Sequence, residues 1–328
     1  MKDFCIVGSG IAGSTIANLL KKNYSIEIFE KARGPGGRSS NRRYKTKLSF
    51  DHGLQYISPK NINFKNFIHK LVNLNILTPW KGPHLDLSFD KKKFSEKYIG
   101  RKSNSIICKY LIGNIKTNYL SEVTVIKFNT NHWEITLNNK NKIFFKNLIL
   151  TCPFPQLKIL ASKYIKKEIL NYKTDTVPNI TVMAAFKGYK KIPLSSVKFD
   201  NSIIKWASFE NSKNRFKSNL SLWTIQSNEK WSKKYINKYK NNRFKTSQIL
   251  LNEFEKLMGF KIKNLVFSNI HGWKYAFNKI KNNFNSLWLK KCNLGVCADW
   301  ALGSKAEDAW LSANSLYGKV KKNPPNKS

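Results

Sequence analysis

The chain has 328 residues, of which 41% are hydrophobic and 13% aromatic. This composition excludes an intrinsically disordered chain, and the length allows two domains. The 59 lysines and arginines outnumber the 19 acidic residues and give a net charge of +40. Such a charge can attract nucleic acid or an anionic membrane, but the basic residues are scattered and form no basic helix or arm. We interpret it as compositional, with weak polyanion binding at most and no specific nucleic-acid partner.

The five cysteines indicate a reducing compartment. They form no CxxC pair and no metal-spaced cluster with the five histidines, so we expect reduced core residues and no metal site. Gly8 and Gly10 interrupt the first apolar stretch, which argues against a secretory signal. No apolar run reaches the roughly 18–20 residues that span a bilayer. We expect a cytoplasmic protein without a transmembrane segment, either a monomer or a homodimer.

The N-terminus predicts a β-α-β unit. Residues 4–7 are typical of a buried parallel strand, residues 11–20 have helical spacing, and residues 25–29 predict a second strand. Loop and extended structure follows over 31–56. The other predicted elements are helices over 64–77, 105–115, 155–170, 231–258 and 303–320, an antiparallel meander over 123–150, and strands over 181–186, 203–209, 220–226, 265–276 and 294–297.

A glycine-rich turn joins the first strand to the first helix. Residues 8–13 read GSGIAG. Gly8 permits a tight turn, Gly10 lets backbone amides approach a diphosphate, and Gly13 lets the helix pack closely on the strand. Glu30 ends the second strand, where a carboxylate accepts hydrogen bonds from a ribose diol. This arrangement predicts dinucleotide binding; the alternative is a glycine turn without a ligand.

A second glycine turn distinguishes the type of dinucleotide. Residues 31–38 read KARGPGGR and follow the acid directly. The glycines allow close approach to a long cofactor, and Arg38 can neutralise its phosphates. Near the other end, Asp299 follows a short buried strand and precedes a helix, so it can bind a ribityl chain beside a positive helix terminus. The alternative for residues 31–38 is an exposed basic loop, and the alternative for Asp299 is a simple helix cap.

With these elements, the chain resembles the glutathione-reductase-type FAD oxidoreductases, in the branch that contains amine oxidases and renalase, and within it the bacterial renalase-like proteins. The resemblance covers nearly the whole chain. Its motifs are residues 6–13, Phe29-Glu30-Lys31, Gly36-Gly37-Arg38, residues 51–56, Thr151-Cys152-Pro153, residues 273–276, Ala298-Asp299-Trp300 and residues 307–312. The segments around Trp273 and at the C-terminus narrow the match to renalase.

The resemblance implies an α/β fold. A Rossmann-type FAD-binding domain of the glutathione-reductase/p-hydroxybenzoate-hydroxylase kind is interleaved with a substrate domain of mixed β-sheet plus helix. The FAD-binding domain takes 1–60, 100–160 and 290–320, the substrate domain takes 61–99 and 161–289, and 321–328 form a disordered tail. FAD is bound non-covalently. The implied cofactor-binding residues are Gly8, Gly10, Ile11, Ala12, Gly13, Glu30, Lys31, Gly37, Arg38, Gly53, Gln55, Tyr56, Val123, Asp299 and Trp300.

The resemblance also implies an oxidase that takes a hydride from a small planar substrate. In this family, dihydro-NAD(P) isomers pass a hydride to flavin N5, and O2 reoxidises the flavin. Such a reaction depends on positioning more than on acid–base chemistry. The candidate pocket residues are Trp223, Gln226, His271, Trp273 and Tyr275. The alternative is that the aromatic residues pack in the core, that His271 is a satisfied buried histidine, and that Asp51 and His52 hold the loop.

Several departures leave the substrate open. Ala298 stands where the family usually has glycine, Lys305 where arginine is common, and Gly272 and Phe277 where residues are often basic. The competing functions are an amine oxidase or desaturase of the same superfamily, and a catalytically inactive polyanion-binding protein. A desaturase would need a long apolar tunnel, and the sequence contains no membrane-docking helix.

Overall fold

The computed structural model describes residues 1–45, 48–87, 96–165, 172, 174–188, 192–282 and 284–325. In this part of the chain the helices are α1 (Ile11–Leu20), α2 (Ile62–Asn73), α3 (Ile106–Ile112), α4 (Phe154–Ala161), α5 (Glu229–Tyr235), α6 (Arg243–Met258) and α7 (Ala306–Lys322). The strands are β1 (Lys2–Val7), β2 (Ile26–Phe29), β3 (Arg42–Tyr44), β4 (Leu48–Phe50), β5 (Leu77–Pro79), β6 (His84–Asp86), β7 (Tyr98–Gly100), β8 (Lys116–Asn118), β9 (Val123–Asn129), β10 (His132–Leu137), β11 (Lys142–Leu150), β12 (Thr176–Lys187), β13 (Ser196–Lys198), β14 (Ile204–Phe209), β15 (Leu220–Ser227), β16 (Leu265–Asn278), β17 (Leu287–Leu289) and β18 (Leu294–Val296).

The first sheet has the strand order β17-β18-β11-β1-β2-β8, and β9 and β10 continue from β11 as an antiparallel meander. Strands β18, β11, β1, β2 and β8 run parallel. Their apolar residues are buried on both faces: Ile6 and Ile149 are fully buried on one face, and Cys5 and Leu148 on the other. Helices α1 and α7 cover one face. Because the strands are parallel, the residues after β1, β2, β11 and β18 lie at one edge of the sheet.

The second sheet has the order β16-β12-β15-β14-β13-β6. One face packs on α5 and α6 through a large apolar cluster. Side chains alternate along each strand, so Trp223 and Ile225 belong to this cluster whereas the neighbouring Thr224 and Gln226 do not. Thr181 pairs with Gln226 on one side and with His271 on the other, which places these three residues in one row across the sheet. In this row the face opposite the helices carries polar side chains, whereas farther along it Met183, Ala185 and Leu222 form an apolar cluster with Leu48 and Phe50.

The predicted fold class is confirmed, although several element limits differ. A turn divides the predicted helix over 231–258 into α5 and α6, and β3 to β8, β13 and β17 are additional to the predicted strands. Strand β17 pairs with β18, so the C-terminal part of the first sheet starts at Leu287, and the domain boundary of 290 stays a prediction. Helix α7 continues to Lys322, so the start of the predicted disordered tail is helical. Residues 326–328 and the end of the predicted 155–170 helix, 166–170, lie outside the described residues.

Within the described residues, no helix combines the length and apolar character that crossing a membrane requires.

We expect Gly13→Ala to destabilise the protein because the turn that precedes helix α1 leaves no room for a side chain at this position. A Cβ on Gly13 would lie 2.0 Å from the carbonyl oxygen of Gly8. Relieving such a clash costs about 1–3 kcal/mol. Gly34→Ala is the matched control, because a Cβ on Gly34 would point into open space with no contact within 4 Å. Thermal unfolding should show a lower midpoint for the first variant alone; equal midpoints would contradict the packing argument.

Candidate active site

The turn between β1 and α1 forms a tight backbone cradle. Gly8 has φ +103°, a conformation that favours glycine. Gly10 is the N-cap of α1, and a Cβ there would meet only one atom, the Gly36 oxygen at 4.0 Å. The space beside Gly10 is therefore open. The first turn of α1 directs backbone N–H groups into it, which is a favourable arrangement for an anion.

The second glycine turn contacts the first. The Gly36 N–H donates to the Ser9 carbonyl at 3.0 Å. Gly37 has φ +50°, and a Cβ on it would lie 3.4 Å from the Gly10 Cα. Two turns that are separated in sequence thus form one glycine-lined surface at the edge of the first sheet.

Glu30 lies at one end of this surface. Its buried carboxylate accepts hydrogen bonds from the backbone N–H and the hydroxyl of Ser9, both at 2.8 Å, and from the Ala32 N–H at 2.8 Å. The Glu30 carbonyl accepts from the Ser121 N–H, which brings the start of β9 at Val123 to the same end. Lys31 lies 3.8 Å from Glu122 in an exposed ion pair.

An ion pair joins the opposite end of the chain to this surface. The Arg38 guanidinium donates to the Asp299 carboxylate at 2.6 Å, and the Asp299 side chain is only 6% exposed. Arg38 also donates to the carbonyls of Tyr275 and Ala276 at 3.3 and 3.4 Å. One side chain therefore connects the second glycine turn, strand β16 of the second sheet and the segment after β18.

A narrow cleft lies at this junction. The residues that line it include Arg38, Phe154, Tyr275, Asp299 and Trp300. The Trp300 indole donates to the Cys152 carbonyl at 3.1 Å, and its ring lies 4.8 Å from that of Phe154. The structure thus brings four of the predicted site residues to one cleft.

Two histidines and a tryptophan form an aromatic cluster where the second sheet meets residues 51–56. The ring centroid of His271 lies 4.9 Å from that of His52 and 4.3 Å from that of Trp273. The Trp273 indole donates to the His52 carbonyl at 2.9 Å, and Gln226 donates to the Gly53 carbonyl at 3.0 Å. Burial lowers the pKa of His52 to about 3 and that of His271 to about 4, so both imidazoles are neutral at physiological pH.

The structure does not bring Trp223 and Tyr56 to this cluster. The Trp223 indole is fully buried on the helix side of the second sheet and packs against Phe209 and Phe254. Its position fits the alternative of core packing. Tyr56 contacts Trp80 and Trp206, with ring centroids 6.2 and 5.7 Å away.

Comparisons with known proteins show what the whole chain and its N-terminal part resemble. Residues 6–71 match a family described as an NAD(P)-binding Rossmann-like domain. Renalase from Mus musculus is 27% identical over 168 residues, which cover 48% of this chain and 48% of that protein. The chain thus spans about half the length of the curated relative it matches.

Solved structures share the fold over almost the whole chain. A putative protoporphyrinogen oxidase from Exiguobacterium sp. 255-15 superposes with a TM-score of 0.75 at 10% identity, covering 98% of this chain and 99% of that one. Putrescine oxidase bound to putrescine superposes with a TM-score of 0.71 at 10% identity and the same coverage. At this identity the likeness concerns the fold. Together with the renalase match, this likeness fits the prediction from the sequence that the protein is a renalase-like flavin oxidoreductase.

A buried charge network holds the segment that follows β4. Asp51 is fully buried and accepts hydrogen bonds from Lys213 at 2.9 Å, from Arg215, and from the Asn104 N–H at 3.2 Å. Lys213 also pairs with the fully buried Glu210 at 2.9 Å. Burial alone would raise the pKa of Asp51, but the two cations hold it below its usual value.

The same network fixes Gln55. Its side chain donates to the Asp51 and Gly53 carbonyls and accepts from the Ser208 hydroxyl at 2.7 Å. The Asn104 side chain donates to the Leu54 and Gln55 carbonyls at 2.7 and 3.0 Å. The backbone of 51–55 is thus held from several directions beside His52.

Sequence reasoning missed this network. Lys213 and Arg215 are two of 59 lysines and arginines, and no local pattern marks them as buried. The position of Asp51 between a strand and Gly53 was the available signal, and it indicated only that the residue holds a loop.

We expect Lys213→Met to destabilise the protein strongly. It would leave Glu210 buried without its nearest cation, and such a change typically costs about 3–5 kcal/mol. Lys233→Met is the matched control, since Lys233 pairs with Glu229 on the surface, where side chains are 52% and 32% exposed, and the expected loss is below about 1 kcal/mol. Urea unfolding measures both. Partial recovery in Lys213→Met/Glu210→Gln would assign the loss to the unpaired carboxylate, and a small loss for Lys213→Met would contradict it.

The buried histidines predict a pH dependence of stability. The pKa of His52 is about 3 in the folded protein and near 6.5 when the ring is exposed. Between these values the unfolded chain binds more protons, so the free energy of unfolding falls as the pH falls, by about 2–3 kcal/mol from pH 7 to 4 for this residue. Unfolding curves of wild type and His52→Asn across this range measure it. The variant should show a shallower slope, and parallel slopes would contradict the pKa.

Proposed function

We propose that the protein is an FAD-dependent oxidoreductase that takes a hydride from a small planar substrate. The ion pair between Arg38 and Asp299 carries the proposal, since it joins the second glycine turn to the carboxylate that follows β18. The start of α1 would hold the diphosphate, Glu30 the adenosine ribose, and Asp299 the ribityl chain. The first sheet with its helices would bind the cofactor, and the second sheet would cover the substrate.

The residues present fit such a cofactor. The space beside Gly10 is open, and a side chain there would enter the region that a diphosphate needs. Glu30 is fixed by Ser9 and Ala32, and its oxygens retain lone pairs for ribose hydroxyls. Arg38, with its side chain 35% exposed, offers a guanidinium to the cleft that Tyr275, Asp299 and Trp300 also line.

FAD supplies a hydride acceptor when it is bound. The protein's own contribution is then to position the substrate and exclude water. Trp273 offers a flat ring held by its hydrogen bond to His52, and His271 offers a neutral imidazole that can donate to or accept from an amide. No described group in this cluster needs to exchange a proton for a substrate that becomes aromatic on oxidation. This arrangement would suit a dihydro-NAD(P) isomer as substrate, and O2 is the electron acceptor that the resemblance implies.

Anaerobic mixing with single substrates tests this proposal. Purified protein should be yellow, and a dihydro-NAD(P) isomer should bleach the flavin absorbance. Readmission of air should restore the colour with formation of hydrogen peroxide. Bleaching by primary amines alone would favour the amine oxidase alternative, and a colourless protein that takes up no FAD would refute the flavin assignment.

We expect Arg38→Gln and Asp299→Asn to weaken FAD binding, because each removes one partner of the pair that joins the two ends of the site. Loss of a charge-assisted contact of this kind costs about 1.5–3 kcal/mol, or roughly 10- to 100-fold in affinity. Arg43→Gln is the matched control, since Arg43 is exposed on β3. Equilibrium dialysis against FAD measures all three. Unchanged affinity in both site variants would contradict the assigned roles.

A further inference from the structure

A buried asparagine at the end of β16 has an unpaired amide oxygen. Asn278 is the last residue of the strand and is 8% exposed. Its Nδ2 donates to the Ile280 carbonyl at 2.6 Å and to the Trp300 carbonyl at 3.3 Å. Its Oδ1 is buried and has no hydrogen-bond partner within the described residues. The amide therefore uses its donors and leaves its acceptor unused.

The two carbonyls fix the orientation of this amide. Rotating it by 180° would turn Oδ1 toward the carbonyl oxygens of Ile280 and Trp300, and acceptors would then face acceptors. The nitrogen must face these carbonyls, which leaves the oxygen without a donor. Most buried acceptors in proteins are paired, because an unpaired one loses its hydrogen bonds to water without replacement. The oxygen of Asn278 therefore indicates a donor that a bound molecule would supply.

Asn278 belongs to the cleft that holds the ion pair between Arg38 and Asp299. All three residues line this cleft, and so does Trp300, whose carbonyl accepts from the Asn278 amide. Arg38 occupies one oxygen of the Asp299 carboxylate, and an ionised carboxylate has further lone pairs to accept with. An amide and a carboxylate, both acceptors, thus lie in one cleft although they come from different sheets.

Two acceptors in one cleft favour a ligand that carries several donors. The hydroxyls of an uncharged polyol chain are such donors. A phosphate group brings acceptors and negative charge, so the Asp299 carboxylate and the Asn278 oxygen would disfavour it. Within FAD, the ribityl chain is the part that meets this description, and it is the part already assigned to Asp299.

We infer that the Asn278 side chain accepts a hydrogen bond from a ribityl hydroxyl of FAD, so that Asn278 and Asp299 hold the chain from two elements. The inference rests on the proposed function, since FAD is its ligand. The same amide joins the end of β16 to the turn that contains Trp300. The cofactor would therefore contact the strand that carries His271 and Trp273, which would fix its position relative to the second sheet.

Two leucine variants of similar side-chain size test the contact. Asn278→Leu removes the unpaired oxygen. Asn282→Leu is the matched control, because Asn282 is 9% exposed and also donates to the Trp300 carbonyl, at 3.2 Å, but is not among the residues that line the cleft. Equilibrium dialysis against FAD measures both variants and the wild type. We expect the affinity to fall about 10-fold in Asn278→Leu and less than about 2-fold in Asn282→Leu.

Analogues of FAD separate a direct contact from a change in the fold. Each of three analogues has one ribityl hydroxyl, at C2′, C3′ or C4′, replaced by hydrogen. The analogue that lacks the partner of Asn278 should bind the wild type about 10-fold more weakly than FAD does, and should bind Asn278→Leu within about 2-fold of FAD. The same comparison with Asn278→Ala serves if the leucine variant does not fold.

The outcomes distinguish this inference from the proposed function. A wild-type protein that takes up no FAD would refute both. Equal affinities for FAD in the wild type and both leucine variants would support the proposed function and overturn the inference, with water as the partner of the oxygen. A loss in Asn278→Leu that is accompanied by the same loss for every analogue in wild type and variant would also overturn it, because Asn278 would then act only through the fold.

Discussion

The ion pair between Arg38 and Asp299 joins the two ends of the chain around one site. A guanidinium–carboxylate contact at 2.6 Å is a charge-assisted hydrogen bond, and it forms between residues 261 positions apart. Parallel strands place both residues at the same edge of the first sheet, and Arg38 continues to the backbone of β16 in the second sheet. The glycine turns, the C-terminal segment and the second sheet therefore have one common contact.

The segment between the two sheets depends on a different interaction. Asp51 is a fully buried carboxylate, which would be costly without partners. Lys213, Arg215 and the Asn104 N–H supply them, and each belongs to a segment remote from Asp51. As a result, the backbone of 51–55 is held in place where His52 and Gly53 meet β16. Loops seldom position catalytic groups with precision unless such contacts constrain them.

Charge is distributed unevenly around the candidate site despite the overall excess of cations. Inside the aromatic cluster the two imidazoles are neutral, while Asp51 and Asp299 are each paired with arginine. A net charge of +40 does not by itself reveal this pattern, because it treats all 59 cations alike.

The sequence by itself determined the fold class, the β-α-β unit and the glycine turns, because these depend on local chemistry: apolar runs, helical spacing and glycines at positive φ or at close contacts. It also predicted Arg38, Asp299 and Trp273 as site residues from their motifs and His271 as a candidate near Trp273, and these roles stay predictions. Only the tertiary structure decided which face of β15 carries Trp223 and which carries Gln226, because alternation along a strand does not say which side a helix covers. Likewise, Lys213 acquires its role from Asp51, which lies 162 positions away in sequence. Burial and proximity are properties of the folded chain, and no local pattern contains them.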